Sequence, residues 1–210
     1  MIDLPLPLLQ RMWPRGDSCV PGLLEGIAAT APAVLAKYGV TSPMALAVMM
    51  GEFSEECGCG TEVIENLNYR ASALHSQWPL HFTMEQALAM QYQPRLIGNQ
   101  AYGGRMGNRS GTDDGWRYIG RGPAQTTGRD AYSRLGTLLG LDLVNHPELI
   151  NDPQHFLEAG VADFVKICGC LPYAERDDEV NTTRHLNGGL IGYAQRQASI
   201  AMWKHAFGLH

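Results

Sequence analysis

Two glutamates, Glu56 and Glu65, stand on either side of the segment Cys-Gly-Cys-Gly and are the residues best suited to acid–base chemistry. In an unbroken helix, nine residues would turn the second carboxylate to the opposite face and displace it by roughly 13 Å along the axis. Gly58 and Gly60 allow the backbone to leave the helix and fold back, because glycine adopts positive φ without steric cost. We therefore expect the two carboxylates to face one cleft.

Hydrolysis of a glycosidic bond commonly uses two carboxyl groups, one that protonates the leaving oxygen and one that acts on the opposite side of the sugar. Spacing alone does not establish this reaction, since two surface glutamates beside a turn would give the same pattern. Further evidence comes from the stretch between residues 102 and 127, where a glycine-rich composition predicts a long loop with a short hairpin around 116–119. This loop offers flat apolar faces for a sugar ring and directed hydrogen-bonding groups, namely Trp116, Tyr118, Arg121, Gln125 and Thr127.

The net charge of −5 excludes a general attraction for nucleic acid or for an anionic membrane. Arginine nevertheless supplies thirteen of the sixteen basic residues, and seven of them lie between residues 95 and 134. This cluster is interpreted either as a basic wall that faces a ligand or as a mixed surface relieved by Asp113, Asp114 and Asp130.

Five cysteines, an odd number without a recognisable export signal, favour reduced thiols over a disulfide framework. Cys57 with Cys59 and Cys168 with Cys170 could supply soft ligands to zinc, but one intervening residue is fewer than structural zinc sites usually have. We expect no metal and no cofactor. Residues 1–14 lack a basic region and are interrupted by prolines, and no apolar run reaches the length of a membrane span, so a cytosolic protein without stable membrane insertion is expected.

Most of the chain has helical periodicity punctuated by glycine and proline, and no linker or repeat divides it. A single domain over residues 1–210 is therefore expected. Helices are predicted over residues 23–37, 43–56, 84–92, 130–139, 152–168, 178–186 and 193–207, with a capping box at Thr83 and Gln86 and an N-cap at Asp152.

The segment from Tyr118 to Arg129 resembles the Y-x-G-R-G-x-x-Q-x-T-G-R signature of glycoside hydrolase family 19, particularly its bacteriophage endolysin branch. Glu65-Asn-Leu-Asn-Tyr69 is similar to an acidic segment of that branch, and residues 102–108 and 187–189 match two further segments in the same order. The resemblance covers about residues 45–200, within a catalytic core of 42–207. Residues 1–41 are less well matched.

The resemblance implies a mainly α-helical, lysozyme-like fold with two lobes around a substrate cleft and at most a small hairpin. It implies inverting hydrolysis of β-1,4 bonds next to N-acetylated amino sugars, with carboxyl groups roughly 6.5 to 9.5 Å apart. Glu56 matches the general acid, with its pKa raised by the helix end and by neighbouring carboxylates, and Glu65 matches the second carboxylate. The matched substrate-binding residues, among which Thr127 helps to hold the attacking water, are Tyr69, Tyr118, Arg121, Gln125, Thr127, Asn187 and Arg196.

The sequence is therefore interpreted as a peptidoglycan hydrolase of endolysin type, kept in a bacterial cytosol until a holin-type route releases it to the wall. A chitinase of the same fold is the nearest alternative. A catalytically silent carbohydrate-binding or phage structural protein is another, and a metal-dependent amidase or peptidase is a weaker one, because no His and Asp set has suitable spacing.

Overall fold

The computed structural model describes residues 2–209. Its architecture is mainly α-helical, and within those residues the only β pairing consists of isolated bridges. The α-helices are α1 Leu6–Met12, α2 Leu23–Tyr38, α3 Pro43–Glu56, α4 Ala71–Gln77, α5 Met84–Met90, α6 Pro94–Tyr102, α7 Asp114–Arg117, α8 Arg129–Leu139, α9 Phe156–Ala162, α10 Leu171–Ala174, α11 Glu179–Asn187 and α12 Tyr193–Ala206. Short segments of 3-10 helix cover Gly58–Gly60 and Pro147–Asn151, and α9 continues as a π-helix over Asp163–Ile167.

Helix α3 is the central element, and its bounds are those predicted from the sequence. The hydroxyl of Ser42 accepts a hydrogen bond from the Ala45 amide at 3.3 Å, and Pro43 occupies the first turn, where its missing N–H costs nothing. Helix α12 packs directly along α3: a Cβ at Gly51 would lie 2.5 Å from the Ile200 side chain. The absence of a side chain at this position therefore lets the two helices approach closely.

Two separate hydrophobic cores give the fold its two lobes. The larger core surrounds α3 with buried side chains of α1, α2, α9 and α12. The smaller core belongs to α4, α5 and α6 and contains Leu67, Leu74, Phe82, Ile97 and Ile119 among its fully or almost fully buried side chains. The segment of residues 61–69 runs from the larger core to the smaller one and lines the depression between them.

The structure corrects several local predictions. Helices α1, α4, α6 and α10 were not predicted from the sequence, and the helix expected to begin at Asp152 begins at Phe156. The hairpin expected around 116–119 is wrong, because Asp114–Arg117 is a helical turn. The chain reverses instead between Arg121 and Thr126, whose backbone groups exchange hydrogen bonds of 3.2 and 2.9 Å.

The residues before α2 belong to the larger core. Leu4, Leu9 and Trp13 are fully or almost fully buried, and the Trp13 indole donates to Ser54 Oγ of α3 at 2.9 Å. No single helix within residues 2–209 is long and apolar enough to cross a membrane. Helices α2 and α3 taken together, across a bend of 120°, reach that length and composition.

Candidate active site

Glu56 is the last residue of α3, and a tight turn sends the following chain back beside it. The Glu62 amide donates to the Cys57 carbonyl at 2.9 Å, which closes this turn. Gly60 has φ +84°, and a Cβ at this position would lie 2.8 Å from the Gly16 carbonyl oxygen. Glycine is therefore required both for the backbone conformation and for the contact with the N-terminal segment.

This turn places both proposed catalytic carboxylates on one cleft of about 730 Å³ between the lobes. The cleft is strongly polar and is lined by Glu56, Thr61, Glu62, Ile64, Glu65, Asn66, Asn68, Tyr69 and Gln125. The structure thus brings Glu56, Glu65, Tyr69 and Gln125 of the predicted set together around one depression. A chain of sugar rings with many hydroxyl and amide groups suits a lining of this kind.

The Glu65 carboxylate is held from two sides. The Tyr102 hydroxyl donates to Glu65 Oε1 at 2.6 Å, and the Gly120 amide donates to Glu65 Oε2 at 3.2 Å. The Glu65 amide in turn donates to the Gly120 carbonyl at 2.9 Å, so the backbone is also fixed. Burial, and then the charge of Glu65, raise the pKa of Tyr102, which keeps this hydroxyl a proton donor.

Glu56 lies in a different environment. Burial raises the pKa of its carboxyl group, the nearby Arg196 guanidinium opposes this, and the charges of Glu52 and Glu55 add to the increase. Arg196 Nη2 lies 2.7 Å from Glu56 Oε1. The direction of the shift agrees with the expectation from the helix end and the neighbouring carboxylates, but burial is the largest cause.

Behind Glu56 lies a fully buried carboxylate, Glu52, which the sequence-based site omitted. The Thr183 hydroxyl donates to Glu52 Oε1 at 2.5 Å, and Arg196 Nη1 lies 2.7 Å from Glu52 Oε2. The Arg196 guanidinium therefore pairs with both carboxylates, with Glu52 through Nη1 and with Glu56 through Nη2. The available sequence signal was the spacing of Glu52 and Glu56, four residues apart and thus on the same helix face.

The loop after α7 supplies the opposite wall. A Cβ at Gly120 would lie 2.6 Å from Gln125 Oε1 and 3.4 Å from both Glu65 Cβ and Thr127 Oγ1, so these three residues surround Gly120. Gln125 has φ +50°, and its Nε2 donates to the carbonyls of Glu62 and Gly122 at 3.2 Å each. Only a bare backbone at position 120 leaves room for this arrangement.

Comparison with known proteins identifies the family. No protein-family model matches the chain. A glycosyl hydrolase family 19 domain-containing protein of Haemophilus influenzae is 33% identical over 181 residues, which cover 84% of this chain and 86% of that protein. The chain belongs to glycosyl hydrolase family 19. It is a glycoside hydrolase, as the sequence motifs indicated.

Further similarities of this family 19 hydrolase are to chitinases. A segment of 38 residues is 50% identical to acidic endochitinase Q of Nicotiana tabacum, covering 18% of this chain and 15% of that one. The fold is similar to a bacterial family 19 chitinase, with a TM-score of 0.64, 20% identity and coverage of 99% and 96% of the two chains. The similarity to chitinase C from Streptomyces griseus has a TM-score of 0.63 and 18% identity, and it covers 98% of this chain and 93% of that chain. The predicted lysozyme-like helical fold is confirmed.

Three residues of the predicted substrate-binding set do not line the cleft of the family 19 hydrolase. Tyr118 is buried against Tyr132, and its hydroxyl donates to the Val144 carbonyl at 2.9 Å, so it supports the loop from beneath. The guanidinium of Arg121 donates to the Tyr132 hydroxyl at 2.9 Å and lines another depression. Asn187 is exposed at the end of α11.

The remaining two predicted residues lie beside the cleft-lining set. Thr127 adjoins Gly120 and donates its hydroxyl hydrogen to the Gln125 carbonyl at 2.8 Å, which leaves the oxygen able to accept. Arg196 is buried and reaches the cleft through Glu56. Tyr102, Gly120, Glu52 and Thr183 complete the site, although the site predicted from the sequence did not include them.

The cysteines are all free thiols. Within residues 2–209, no group of three or more His, Cys, Asp or Glu side chains is arranged to hold a metal ion. Cys57 Sγ contacts the Phe53 carbonyl and Cys170 Sγ the Thr182 carbonyl, so both pack within the protein as small buried side chains.

Proposed function

We propose that this family 19 hydrolase is a peptidoglycan hydrolase of the phage endolysin branch, which cleaves β-1,4-glycosidic bonds of the bacterial wall with inversion. The observation that carries the proposal is that Glu56 and Glu65 line one cleft with different partners. One carboxyl group has a raised pKa and lies beside an arginine, and the other accepts hydrogen bonds from a phenol and an amide. This is the asymmetry that acid–base cleavage of a glycoside requires.

Glu56 is the proposed general acid. Its burial favours the protonated form, so it carries the proton that the leaving glycosidic oxygen needs. When that proton is transferred, a carboxylate forms 2.7 Å from Arg196 Nη2. The guanidinium therefore stabilises the charge that develops on the acid during the reaction.

Glu65 is the proposed general base. A water between Glu65 and Thr127 would donate one hydrogen to each oxygen, because the Thr127 hydroxyl already donates its own hydrogen to Gln125. This orientation turns a lone pair of the water toward the sugar, and proton transfer to Glu65 makes it a nucleophile. Attack from the face opposite the leaving group inverts the anomeric carbon.

The endolysin assignment rests on the Glu65–Tyr69 segment, whose Glu-Asn-Leu-Asn-Tyr sequence resembles that branch and whose Glu65, Asn66, Asn68 and Tyr69 line the cleft. Hydrolysis of chitin is the second candidate, favoured by the chitinases among the similar proteins and structures. Both polymers present N-acetylated amino sugars to the same lining.

A parallel turnover assay on purified sacculi and on colloidal chitin tests the substrate. We expect faster release of fragments from sacculi, and mass spectrometry of the new reducing ends identifies which of the two alternating bonds is cut. NMR of the first product formed should show the inverted anomer. Preferential cleavage of chitin would replace the proposed substrate, and a retained anomer would contradict the mechanism.

Substitution of the acid tests whether the cleft is catalytic. Glu56→Gln should lower kcat by two to four orders of magnitude, roughly the contribution of a general acid, and should leave the circular dichroism spectrum unchanged. Glu55→Gln is the matched control, because Glu55 is exposed and contacts Ser199 instead of the cleft. Equal activity of Glu56→Gln and the wild type would indicate a silent carbohydrate-binding protein.

For localisation, we propose retention in the bacterial cytosol until a holin-type pore opens, with no nucleic-acid partner. The support is the resemblance to endolysins and the net charge of −5. Expression with and without a co-expressed holin tests this: cells should lyse only with the holin. Lysis without it would contradict the release route.

A further inference from the structure

A second depression, of about 410 Å³, lies beside the catalytic cleft and shares no lining residue with it. Its walls come from α6, α7, the start of the Arg121–Thr126 turn and the 3-10 helix Pro147–Asn151. The lining consists of Arg95, Asp113, Trp116, Arg117, Arg121, Pro147 and Glu148. Two consecutive residues connect the two sites. The Gly120 amide donates a hydrogen bond to Glu65 in the catalytic cleft, and Arg121 lines the second depression.

The charges in this depression are unequal. Asp113 is engaged by Arg95 through a two-point ion pair and also accepts from Asn99. Glu148 lies 3.3 Å from His146 Nδ1 and, within residues 2–209, has no arginine or lysine partner. Within residues 2–209, the oxygens that accept hydrogen bonds from Arg117 and Arg121 all belong to neutral groups. Three arginines and two carboxylates give the lining a net charge of +1, in a protein whose net charge is −5, and the guanidiniums of Arg117 and Arg121 are those left without a carboxylate partner in the described part of the chain.

The two guanidiniums are also held in place. Arg117 Nη2 donates to the Asn145 carbonyl at 2.5 Å, and Arg121 Nη1 donates to the Arg117 carbonyl at 2.8 Å. Each lies 5.9 Å from the centre of a tyrosine ring, Tyr118 for Arg117 and Tyr132 for Arg121. Side chains that are already ordered lose less conformational entropy when a ligand binds.

We propose that this depression, the arginine site, binds a carboxylate carried by the polymer whose sugar backbone lies in the catalytic cleft. The planar fork of arginine matches a carboxylate, and the half-buried Trp116 offers an apolar face to the group that bears it. The inference rests on the proposed function, since peptidoglycan carries carboxylates on its peptide stems and chitin carries none. The arginine site thus selects the anionic polymer over the neutral one.

The first test compares intact sacculi with sacculi whose carboxylates have been converted to amides. The wild type should cut the amidated sacculi more slowly, and Arg117→Gln should reduce the ratio of the two rates about tenfold, the value of one charge-assisted hydrogen bond. Arg134→Gln removes the same charge from the exposed surface of α8 and should keep the wild-type ratio. An unchanged ratio in Arg117→Gln, with both substrates cleaved, overturns the inference.

The second test does not depend on turnover. The Glu56→Gln variant is titrated with muramyl dipeptide, which has a free carboxylate, and with di-N-acetylchitobiose, which has none, while the Trp116 indole resonance is followed by NMR. Muramyl dipeptide alone should shift this resonance, and the added Arg117→Gln change should abolish the shift. If sacculi are not cleaved at all, the proposed function fails and this titration still decides the arginine site: no shift overturns it.

Discussion

Arg196 Nη2 lies 2.7 Å from Glu56 Oε1 and joins the proposed general acid to a carboxylate that has no contact with the cleft. The same guanidinium lies 2.7 Å from Glu52 Oε2 through its other terminal nitrogen. Glu52 therefore affects the acid in two ways, by its own charge and by sharing the cation that would otherwise serve Glu56 alone. Both effects favour the protonated acid.

Glu52→Gln should move the alkaline limb of the pH profile of kcat/KM to lower pH. The direction of this shift follows from the role of Glu56 as general acid. Activity is lost as pH rises through the pKa of Glu56, and removal of a neighbouring negative charge lowers that pKa. The amide oxygen of the introduced glutamine can still accept from Arg196 while its NH2 group donates to the Thr183 hydroxyl, so folding should be preserved. Glu55→Gln, an equal charge change in an exposed position, should shift the limb much less because solvent screens it. Equal shifts in the two variants would contradict the role of the buried pair.

Tyr102→Phe removes one of the two donors to the Glu65 carboxylate. We expect kcat to fall about ten- to hundredfold with a smaller change in KM, because a hydrogen bond to a charged group contributes roughly 1.5–3 kcal/mol. The ring should stay packed against Trp78, so the fold should be retained, with a loss of roughly 1.5–3 kcal/mol in the free energy of unfolding. Steady-state kinetics measure kcat and KM, and urea titration measures the free energy of unfolding.

Tyr118→Phe is the matched comparison for Tyr102→Phe. It tests whether Tyr118 belongs to the core and not to the substrate-binding cleft. It removes the hydrogen bond to the Val144 carbonyl and should lower the free energy of unfolding by about 1 kcal/mol while kcat and KM stay at wild-type values. A rise in KM without a change in stability would indicate that Tyr118 binds the substrate.

Gly60→Ala tests the turn that returns the chain beside Glu56. The new Cβ would lie 2.8 Å from the Gly16 carbonyl oxygen at φ +84°, so we expect a loss of roughly 3 kcal/mol or more in the free energy of unfolding. Gly39→Ala is the control, with φ +72° and nothing within 4 Å of the new Cβ, and should cost only about 1 kcal/mol. Urea unfolding of both variants checks the difference, and equal losses would show that the contact with Gly16 is unimportant.

Asp114, at the start of α7, links stability to pH. Two hydrogen bonds of 2.8 and 2.9 Å from the Arg109 guanidinium, together with its amide, lower the pKa of Asp114 to about 2. A lowered pKa stabilises the fold above the unfolded value of about 3.9 and loses that contribution as pH falls through the folded value. Asp114→Asn should therefore cost about 1–2 kcal/mol at neutral pH, reduced by solvent around the exposed Arg109. The difference from wild type should disappear between about pH 4 and pH 2, and a difference that persists below pH 2 would contradict this origin.

The elements that the sequence predicted well have local signals. Helix α3 combines a Ser42 cap with Pro43 in its first turn and ends before a glycine-rich turn, and α5 has the expected capping box. Neither α4 nor α6 has a capping side chain, although α6 begins with Pro94. They are held by the smaller core, through side chains such as Leu74 and Ile97, which come together only in the folded chain. Short helices depend on such packing more than on intrinsic propensity.

The sequence by itself determined that Glu56 ends a helix, that glycines follow it, and that a second glutamate comes soon after the turn, because these features depend on neighbouring residues. Only the tertiary structure decided the partners of those carboxylates. Tyr102 is 37 residues from Glu65, and Arg196 is 144 residues from Glu52. Burial and long-range packing choose such pairs, and they also turned Tyr118 into the core and Arg121 toward the arginine site. Residue type alone therefore indicated the chemistry, while the fold assigned each group its charge state and contacts.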